Sequence, residues 1–325
     1  MEYRELGRTG LCVSAIGFGA WPIGGGWGDI DDEHTLAALH AAINAGVNFI
    51  DTADVYGRSE QLVARLLRER TERIYVATKA GRRLQPHEPS GYTYENLRRF
   101  AEASRETLDV PALDLLQLHT PPTATFWQPQ TFDALQRLRD DRVIRHAGAS
   151  VETMEEALQA LEYPVVEAIQ IVFNLFRQRP IETVLPKAKA NGVGILARVP
   201  LASGLLAGKL TRETTFGPGD PRTYNRHGEY FDVGEIFSGV EFEQGLEAVE
   251  ELRHLVPGGA SMAQFALRWI LMHDAISTVI PGAKSASQAR ENAAAAHVPP
   301  LSNEQMQAAR AVYDRRIRPT LHRRW

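Results

Sequence analysis

Four side chains whose chemistry suits proton transfer come at the ends of three successive apolar segments. Asp51 and Tyr56 lie in FIDTADVYG, Lys79 closes IYVATK, and His119 closes LDLLQLH. An apolar run that ends in a polar residue is typical of a buried strand opening into a loop, where barrels of parallel strands place their chemistry. Taken together, the four residues predict a proton-transfer site.

The chemistry expected of this set follows from the ionisation of a phenol. A free tyrosine has a pKa near about 10, which is too high for easy proton transfer at neutral pH. A nearby lysine ammonium favours the phenolate and lowers that pKa, while an aspartate keeps the lysine charged and oriented. We therefore expect Tyr56 to act as a general acid, supported by Lys79 and Asp51. His119 would orient a substrate carbonyl oxygen.

Each of these residues also has a structural explanation. Asp51 could cap a helix, Lys79 could extend along the rim of the fold, and His119 could be a hydrogen-bonded buried histidine. None of them can supply a hydride, so a redox reaction here needs a cofactor. Without a redox cofactor, Lys79 could instead be the Schiff-base lysine of an aldolase-like barrel.

The elements that would position these residues alternate between strand and helix patterns. The predicted strands are AIGFGA, VNFIDTA, RIYVATKA, LDLLQLH, VIRHAGAS, VVEAIQIVFN, VGILARVP and STVIPGA. Eight such units predict an α/β fold, a single (β/α)8 TIM barrel domain over residues 1–325. A doubly wound open sheet is the alternative fold, but the segment GFG reaches Pro22 before it can complete a dinucleotide-binding G-x-G-x-x-G.

Two segments depart from a minimal barrel. The opening YRELGRTGLCVS predicts an N-terminal β-hairpin around Gly7 and Gly10 that could plug one end of the barrel. A long loop after strand seven, residues 200–241, is rich in Gly, Pro and aromatic residues. We expect it either to cover the catalytic face or to form a loosely ordered insertion. A glycine-rich loop, residues 24–28, follows the first strand.

Composition limits the classes of function. Forty acidic and thirty-six basic side chains give a formal net charge of -4, which offers no argument for nucleic acid or an anionic membrane. The single cysteine, Cys12, excludes a Cys-rich metal site, and no paired carboxylates or H-x-H motif accompany His119. No apolar run approaches the roughly 18 residues that span a bilayer. We expect a soluble, cytoplasmic protein without a metal, whose oligomeric state the sequence does not determine.

The segment that closes the eighth strand is a candidate anion site. Lys284 and Ser285 come directly before a predicted helix, after the glycine-containing turn IPGA. Helix N-termini after the last strands of a barrel often bind phosphate. The segment could be a turn that binds no ligand, but a lysine and a serine at the start of a helix favour an anion site.

The sequence resembles the aldo-keto reductase superfamily over nearly its whole length. The resemblance rests on YRELGRTGLCVSAIGFGAW, FIDTADVYG, IYVATK, LLQLH, the pair Gln170 and Asn174, ARVPLASGLLAGK, and IPGAK with Gln-Ala-Arg-Glu-Asn after it. It implies a bacterial-type NADP(H)-dependent reductase of aldehydes or ketones. The four proton-transfer residues would be its catalytic tetrad.

The same resemblance implies a set of residues along the cofactor. They would be Ser150, Gln170, Arg198, Leu201, Gly204, Lys209, Gly282, Lys284, Gln288, Glu291 and Asn292. Phe173 stands where many members carry the tyrosine that stacks on the nicotinamide, and because phenylalanine can also stack, we expect it to contact the cofactor. Val151 stands where many members have asparagine. Lys284 suits a 2′-phosphate, which favours NADP(H) over NAD(H).

The expected substrate is a small carbonyl compound of unspecified identity. Trp21, Tyr56, Trp127 and the aromatic residues of the long loop suggest an apolar mouth, with Trp21 and Trp127 as substrate contacts. The alternative function, of another class, is a subunit that binds and senses NADP(H) with little turnover.

Overall fold

Parallel strands separated by helices make up most of the chain in a computed structural model, which describes residues 1–25 and 31–325. The strands are β1 Tyr3–Glu5, β2 Cys12–Ser14, β3 Phe18–Gly19, β4 Phe49–Asp51, β5 Tyr75–Ala80, β6 Leu113–His119, β7 Ile144–Ser150, β8 Val166–Val172, β9 Gly194–Arg198 and β10 Ile276–Val279. Residues 26–28 of the predicted glycine-rich loop lie outside the described residues.

The helices follow the strands as the alternating pattern predicts. The α-helices are α1 Asp32–Asn44, α2 Ser59–Glu69, α3 Tyr94–Leu108, α4 Pro129–Asp140, α5 Met154–Ala160, α6 Val184–Ala190, α7 Pro221–Tyr224, α8 Phe242–Arg253, α9 Met262–Leu271, α10 Ala286–Ala294, α11 Asn303–Arg316 and α12 Arg318–Leu321. The 3-10 helices span Trp21–Gly24, Pro89–Gly91, Thr123–Trp127, Arg179–Glu182, Ala202–Ala207, Val233–Glu235, Phe237–Gly239 and Ala295–His297.

Strands β3 to β10 form one parallel sheet whose spatial order is the order of the chain. Two parallel β-bridges, Ile16 to Val279 and Gly19 to Gly282, join the first and last strands of this sheet. The N–H of Gly17 also donates to the carbonyl of Val279 at 2.8 Å. The sheet is therefore a nearly closed barrel, which confirms the predicted (β/α)8 fold and rules out the open doubly wound sheet.

The sixth strand shows why apolar runs of this chain form barrel strands. Every residue of Leu113–His119 is buried, because one face of the strand points into the barrel and the other lies against the surrounding helices. Gln117 and His119 are two residues apart and therefore share a face. Gln117 hydrogen-bonds Asp51, so this shared face is the inner one.

The N-terminal hairpin covers the N-terminal ends of the barrel strands. Its strands pair antiparallel with Tyr3 opposite Ser14. Three of its apolar side chains join the barrel interior; the cluster comprises Leu6, Leu11, Val13, Phe49, Ala77, Leu115, Ala168, Leu196 and Ile280. The hairpin lies so close to the start of β9 that a Cβ on Gly7 would be 2.3 Å from the nitrogen of Gly194.

The loop after β9 packs through its own aromatic residues against α8 and the C-terminal segment. Phe216 packs between Phe237 and Phe242, with ring centroids 5.9 and 6.0 Å away. The indole nitrogen of Trp325 donates to Asp232 Oδ1 at 2.8 Å, which ties this loop to the segment after α12. In the described ranges, the helices are too short or too polar for any to cross a membrane.

We predict that Gly7→Ala and Gly10→Ala destabilise the protein by different amounts. Both glycines have positive φ, 55° and 75°, so alanine at either costs about 1 to 2 kcal/mol of left-handed strain. Only at Gly7 does the added methyl also meet backbone, while at Gly10 nothing lies within 4 Å. Urea unfolding should show a clearly larger loss for Gly7→Ala, and equal losses would mean that the hairpin does not press against β9.

Candidate active site

The carboxyl ends of β4, β5 and β6 bring the four predicted catalytic residues together. Lys79 Nζ lies 2.6 Å from Asp51 Oδ2 and 3.3 Å from the hydroxyl of Tyr56. The rings of Tyr56 and His119 meet edge to face, with centroids 5.5 Å apart. These strands are neighbours in the sheet, so residues far apart in sequence share one site.

Asp51 is held by two amides in addition to Lys79. Gln117 Nε2 and Gln170 Nε2 donate to Asp51 Oδ1 at 3.0 and 2.7 Å. All of these side chains are buried. Gln117 was not predicted, although its position two residues before His119 on a buried strand places it on the same inner face.

Burial and charge oppose each other at these groups. Burial by itself lowers the pKa of Lys79, but Asp51 and Tyr56 outweigh it, so the pKa is raised and the ammonium stays charged. Burial raises the pKa of Tyr56, and the charge of Lys79 offsets only part of this rise. The expectation that Lys79 brings the phenol below its ordinary pKa is therefore wrong here. Lys79 only limits the rise that burial causes.

His119 is a neutral imidazole in this site. Burial lowers its pKa well below the usual range, and the charges of Arg82 and Lys79 add to the effect. Its Nδ1 is buried and makes no hydrogen bond with the described part of the protein. A neutral imidazole has one donor and one acceptor nitrogen, so it can bond a substrate oxygen without carrying charge.

These residues open into a cleft of about 390 Å³, a size typical of small-molecule sites. Most of the predicted site residues line it, namely Trp21, Asp51, Tyr56, His119, Ser150, Gln170, Arg198, Leu201, Gly204, Lys209, Gly282, Lys284, Gln288, Glu291 and Asn292. Lys79 is fully buried beside Tyr56 and is not part of the lining.

A second cavity, of about 480 Å³, lies at the opposite end of the barrel. Its lining includes Pro111, Ala112 and Ile144, which precede or begin β6 and β7. Barrel enzymes place their chemistry at the carboxyl ends of the strands instead, so the cleft beside Tyr56 is the candidate site.

Near α10 basic side chains line the cleft, and one of them, Lys209, has its Nζ 3.7 Å from Glu291 Oε2. Ser285 caps this helix by accepting a hydrogen bond from Gln288 N, and Lys284 and Lys209 line the wall nearby. Arg222, in the long loop, lines the same cleft and pairs with Asp220 at 2.6 Å. A helix N-terminus with basic side chains suits phosphate groups, so this region fits the anionic part of a dinucleotide. Arg222 was not predicted, because only its charge marked it within the loop.

Phe173 does not reach the cleft, and its predicted contact with a nicotinamide is wrong. The side chain is fully buried, and its ring centroid lies 5.2 Å from Trp269 and 5.1 Å from His273. Gln170 points into the barrel, and a residue three positions later along an extended chain points to the opposite face. Phe173 therefore packs outward, against α9.

Trp127, predicted as a substrate contact, is not among the residues that line the cleft. It is 51% exposed at the end of a 3-10 helix, whereas the preceding residue, Phe126, is fully buried. Asn174 is buried and is not part of the cleft lining; it donates to the carbonyl of Val199 at 2.9 Å and to Ser238 Oγ at 2.7 Å.

Two arginines and two glutamates form a further group beside the cleft, which we call the arginine–glutamate cluster: Arg82, Glu152, Arg198 and Glu235. Arg198 Nη2 lies 2.8 Å from Glu152 Oε2, and its Nη1 lies 3.2 Å from Glu235 Oε1. Arg82 Nη2 lies 3.6 Å from Glu235 and 4.0 Å from Glu152. Of the four, only Arg198 was predicted, because the others lie on three separate loops.

The two carboxyl groups of this cluster ionise differently. Burial raises the pKa of Glu152 to about 8, although Arg198 opposes the rise. Burial also acts on Glu235, but Arg198 and Arg82 outweigh it and hold the pKa of that carboxyl below its ordinary value. At neutral pH, Glu152 is therefore mostly protonated and Glu235 ionised.

Comparison with known proteins places the chain in a family. The model of the aldo/keto reductase family matches residues 15–314. The chain belongs to the aldo/keto reductase family. This confirms the resemblance seen in the motifs and supports an oxidoreductase.

Relatives of this aldo/keto reductase match it almost end to end. It is 31% identical over 298 residues to aldo-keto reductase YhdN of Bacillus subtilis (strain 168), covering 89% of this chain and 86% of that protein. It is 30% identical over 320 residues to a probable voltage-gated potassium channel subunit beta of Arabidopsis thaliana, covering 93% of each. The structure of glycerol dehydrogenase AKR11B4 from Gluconobacter oxydans matches with a TM-score of 0.80 and 29% identity, covering 97% of this chain and 96% of that one.

In this aldo/keto reductase, Asp54 anchors the loop between Asp51 and Tyr56. Its carboxylate lies 3.5 Å from Arg83 Nε, and Arg83 also donates to its main-chain carbonyl. Neither carboxylate oxygen is hydrogen-bonded by any described residue. Burial raises the pKa of Asp54 to about 6, with Arg83 opposing the rise.

The raised pKa of Asp54 predicts a pH-dependent effect of Asp54→Asn on stability. The contribution of Asp54 to the free energy of unfolding is fully present below its ordinary pKa of 3.8, and it is lost as the pH rises through about 6. Asparagine does not titrate, so Asp54→Asn should gain stability relative to wild type between pH 4 and 7. We expect a gain on the order of 2 to 3 kcal/mol in urea unfolding.

The control is Asp133→Asn, which removes an exposed carboxylate from α4 and should leave the free energy of unfolding close to wild type throughout this range. If the free energies of unfolding of Asp54→Asn and wild type differ by the same amount at every pH, the pKa of Asp54 is not raised by folding.

Proposed function

We propose that this chain is an NADP(H)-dependent oxidoreductase that reduces aldehydes or ketones to alcohols, and oxidises alcohols in reverse, with Tyr56 as the proton donor. The observation that carries this proposal is the buried Lys79, which contacts both Asp51 and the Tyr56 hydroxyl at the head of the cleft. Bound NADP(H) supplies the hydride, which no side chain can provide.

Lys79 stabilises the charge that Tyr56 develops when it gives up its proton. The ammonium lies 3.3 Å from the phenol oxygen and is fixed by Asp51 and by the carbonyl of Thr52 at 2.9 Å. Because the pair is buried, this stabilisation is stronger than it would be in water. The substrate carbonyl oxygen would lie between Tyr56 and His119, where neutral His119 donates a hydrogen bond and Tyr56 donates the proton.

The rest of the cleft supports NADP(H) as the cofactor. The start of α10, Lys284, Lys209 and Arg222 would hold its phosphates, and Lys284 would favour the 2′-phosphate of NADP(H). At the other side of the site, Ser150 and Gln170 offer a hydroxyl and an amide for the carboxamide of the nicotinamide.

The substrate side of the site is apolar. The ring of Trp21 lies 6.4 Å from the ring of Tyr56 and 5.8 Å, edge to face, from the ring of Phe231 in the long loop. Aromatic walls of this kind suit carbonyl compounds with an aromatic or aliphatic group. Phe231 packs on Trp21 and extends this aromatic wall, so we add it to Trp21 as a candidate substrate contact.

We predict that Tyr56→Phe lowers kcat/KM for carbonyl reduction with NADPH by about 10² to 10⁴-fold, because it removes the proton donor. The matched control is Tyr92→Phe, another buried tyrosine, whose hydroxyl bonds His87 at 2.8 Å away from the cleft. That variant should keep nearly full activity. Steady-state assays over a panel of aldehydes and ketones give the measurement, and a wild-type rate in Tyr56→Phe would refute the assignment.

A second candidate is a subunit that binds NADP(H) with little turnover. It is favoured by the relative from Arabidopsis thaliana whose name places it with potassium channel subunits. Steady-state NADPH consumption with a reactive aromatic aldehyde separates the two functions, because binding without turnover would support the subunit. The aldolase-like alternative is disfavoured, since a Schiff base needs a neutral amine and the pKa of Lys79, which burial would lower, is raised by Asp51 and Tyr56.

We predict that Lys284→Ala raises the Kd of NADPH about tenfold or more and changes the Kd of NADH little, because only NADPH carries the 2′-phosphate. Lys187→Ala is the control, since Lys187 lies on α6 and pairs with Glu162 away from the cleft. Titration of both cofactors gives the measurement. Equal effects on NADPH and NADH would remove Lys284 as the source of the preference.

A further inference from the structure

Arg198 is a buried cation fixed at the edge of the cleft. It ends β9, is 7% exposed and lines the cleft together with Gln170 and Tyr56. Its Nη2 donates to the carbonyl of Val151 at 3.1 Å as well as to Glu152, and its Nη1 faces Glu235 at 3.2 Å. With both terminal nitrogens engaged, the guanidinium is held in one position. Its Nε is buried without a hydrogen bond from the described residues.

The geometry of hydride transfer limits where a nicotinamide ring can lie. The carbonyl oxygen must come within about 3 Å of the Tyr56 hydroxyl, and its carbon within about 3 to 3.5 Å of the hydride donor. The ring therefore lies within several ångströms of Tyr56. His119, Ser150 and Gln170 lie side by side on the neighbouring strands β6, β7 and β8. Arg198 ends the next strand, β9.

The charge of Arg198 is only partly compensated within the arginine–glutamate cluster. Glu152 is mostly protonated at neutral pH, since burial raises its pKa to about 8. Glu235 is then the one carboxylate of the cluster that faces both guanidinium groups, at 3.2 Å from Arg198 and 3.6 Å from Arg82. Two positive charges and one negative charge leave a net positive charge within the cluster.

The two forms of a nicotinamide respond differently to such a charge. The oxidised ring carries one positive charge and the reduced ring carries none, while the remainder of the cofactor is the same in both. A fixed cation therefore repels the oxidised ring and has no comparable effect on the reduced ring. At separations of several ångströms in a partly buried site, this repulsion is large enough for about a tenfold difference in affinity.

We propose that Arg198 makes this cleft bind NADPH more tightly than NADP⁺, and thereby sets the balance between carbonyl reduction and alcohol oxidation on the protein. The proposal rests on the proposed use of NADP(H), and it adds a residue that discriminates between the two redox states of the cofactor. Glu235 acts in the opposite direction, because its negative charge partly cancels that of Arg198.

The test compares the Kd values of NADPH and NADP⁺ in the wild-type protein and three variants, measured by calorimetric titration without substrate. The ratio of the Kd of NADP⁺ to that of NADPH should fall about tenfold in Arg198→Gln, which removes the charge. It should stay close to wild type in Arg198→Lys, which keeps the charge. It should rise in Glu235→Gln, which removes the opposing carboxylate.

A purely structural role for Arg198 would weaken both forms of the cofactor equally, so an unchanged ratio in Arg198→Gln overturns the proposal. If that variant does not fold, as judged by circular dichroism, an unchanged ratio in Glu235→Gln overturns it instead. If the wild-type protein binds neither NADPH nor NADP⁺, the proposed function fails as well. Tight binding of both forms with an unchanged ratio refutes the role of Arg198 alone.

Discussion

The buried ion pair between Lys79 and Asp51 is the interaction on which the rest of the site depends. Removing two charges from water costs several kcal/mol for each ion, which only good geometry and further hydrogen bonds can offset. Here Lys79 contacts Asp51 at 2.6 Å and the carbonyl of Thr52 at 2.9 Å, and two glutamine amides satisfy the other oxygen of Asp51. Loss of Lys79 or Asp51 would leave the other buried charge uncompensated. The ends of β4, β5, β6 and β8 must therefore stay in register.

The barrel provides this register, and its closure makes the register rigid. Parallel pairing places every carboxyl end at one mouth, while the bridges between the first and last strands prevent the sheet from opening. The hairpin fills the other end with Leu6, Leu11 and Val13. The long loop is tied to the mouth by charge, because its Glu235 pairs with both Arg82 and Arg198.

The cleft combines two electrostatic environments. Around Tyr56 and His119, burial keeps the phenol protonated and the imidazole neutral, which suits a site that donates hydrogen bonds and a proton to a carbonyl oxygen. Near α10, Lys209, Arg222 and Lys284 provide positive charge for phosphates. The arginine–glutamate cluster lies beside the cleft in a partly compensated state, so single charge changes there should alter cofactor binding without rebuilding the barrel.

The sequence by itself determined the strands, the barrel and the four residues at its mouth, because these depend on local patterns. An apolar run that ends in a polar residue marks a strand end, and parallel strands bring such ends together. Only the tertiary structure decided which neighbouring positions face the cleft. Phe173 packs outward against α9 and Trp127 is not part of the cleft lining. Loops without a periodic signal bring Arg222 and Glu235 into the lining and place Arg82 and Glu152 beside it. The raised pKa of Tyr56 likewise had no sequence signal, because desolvation is the combined effect of all the groups that exclude water from the site.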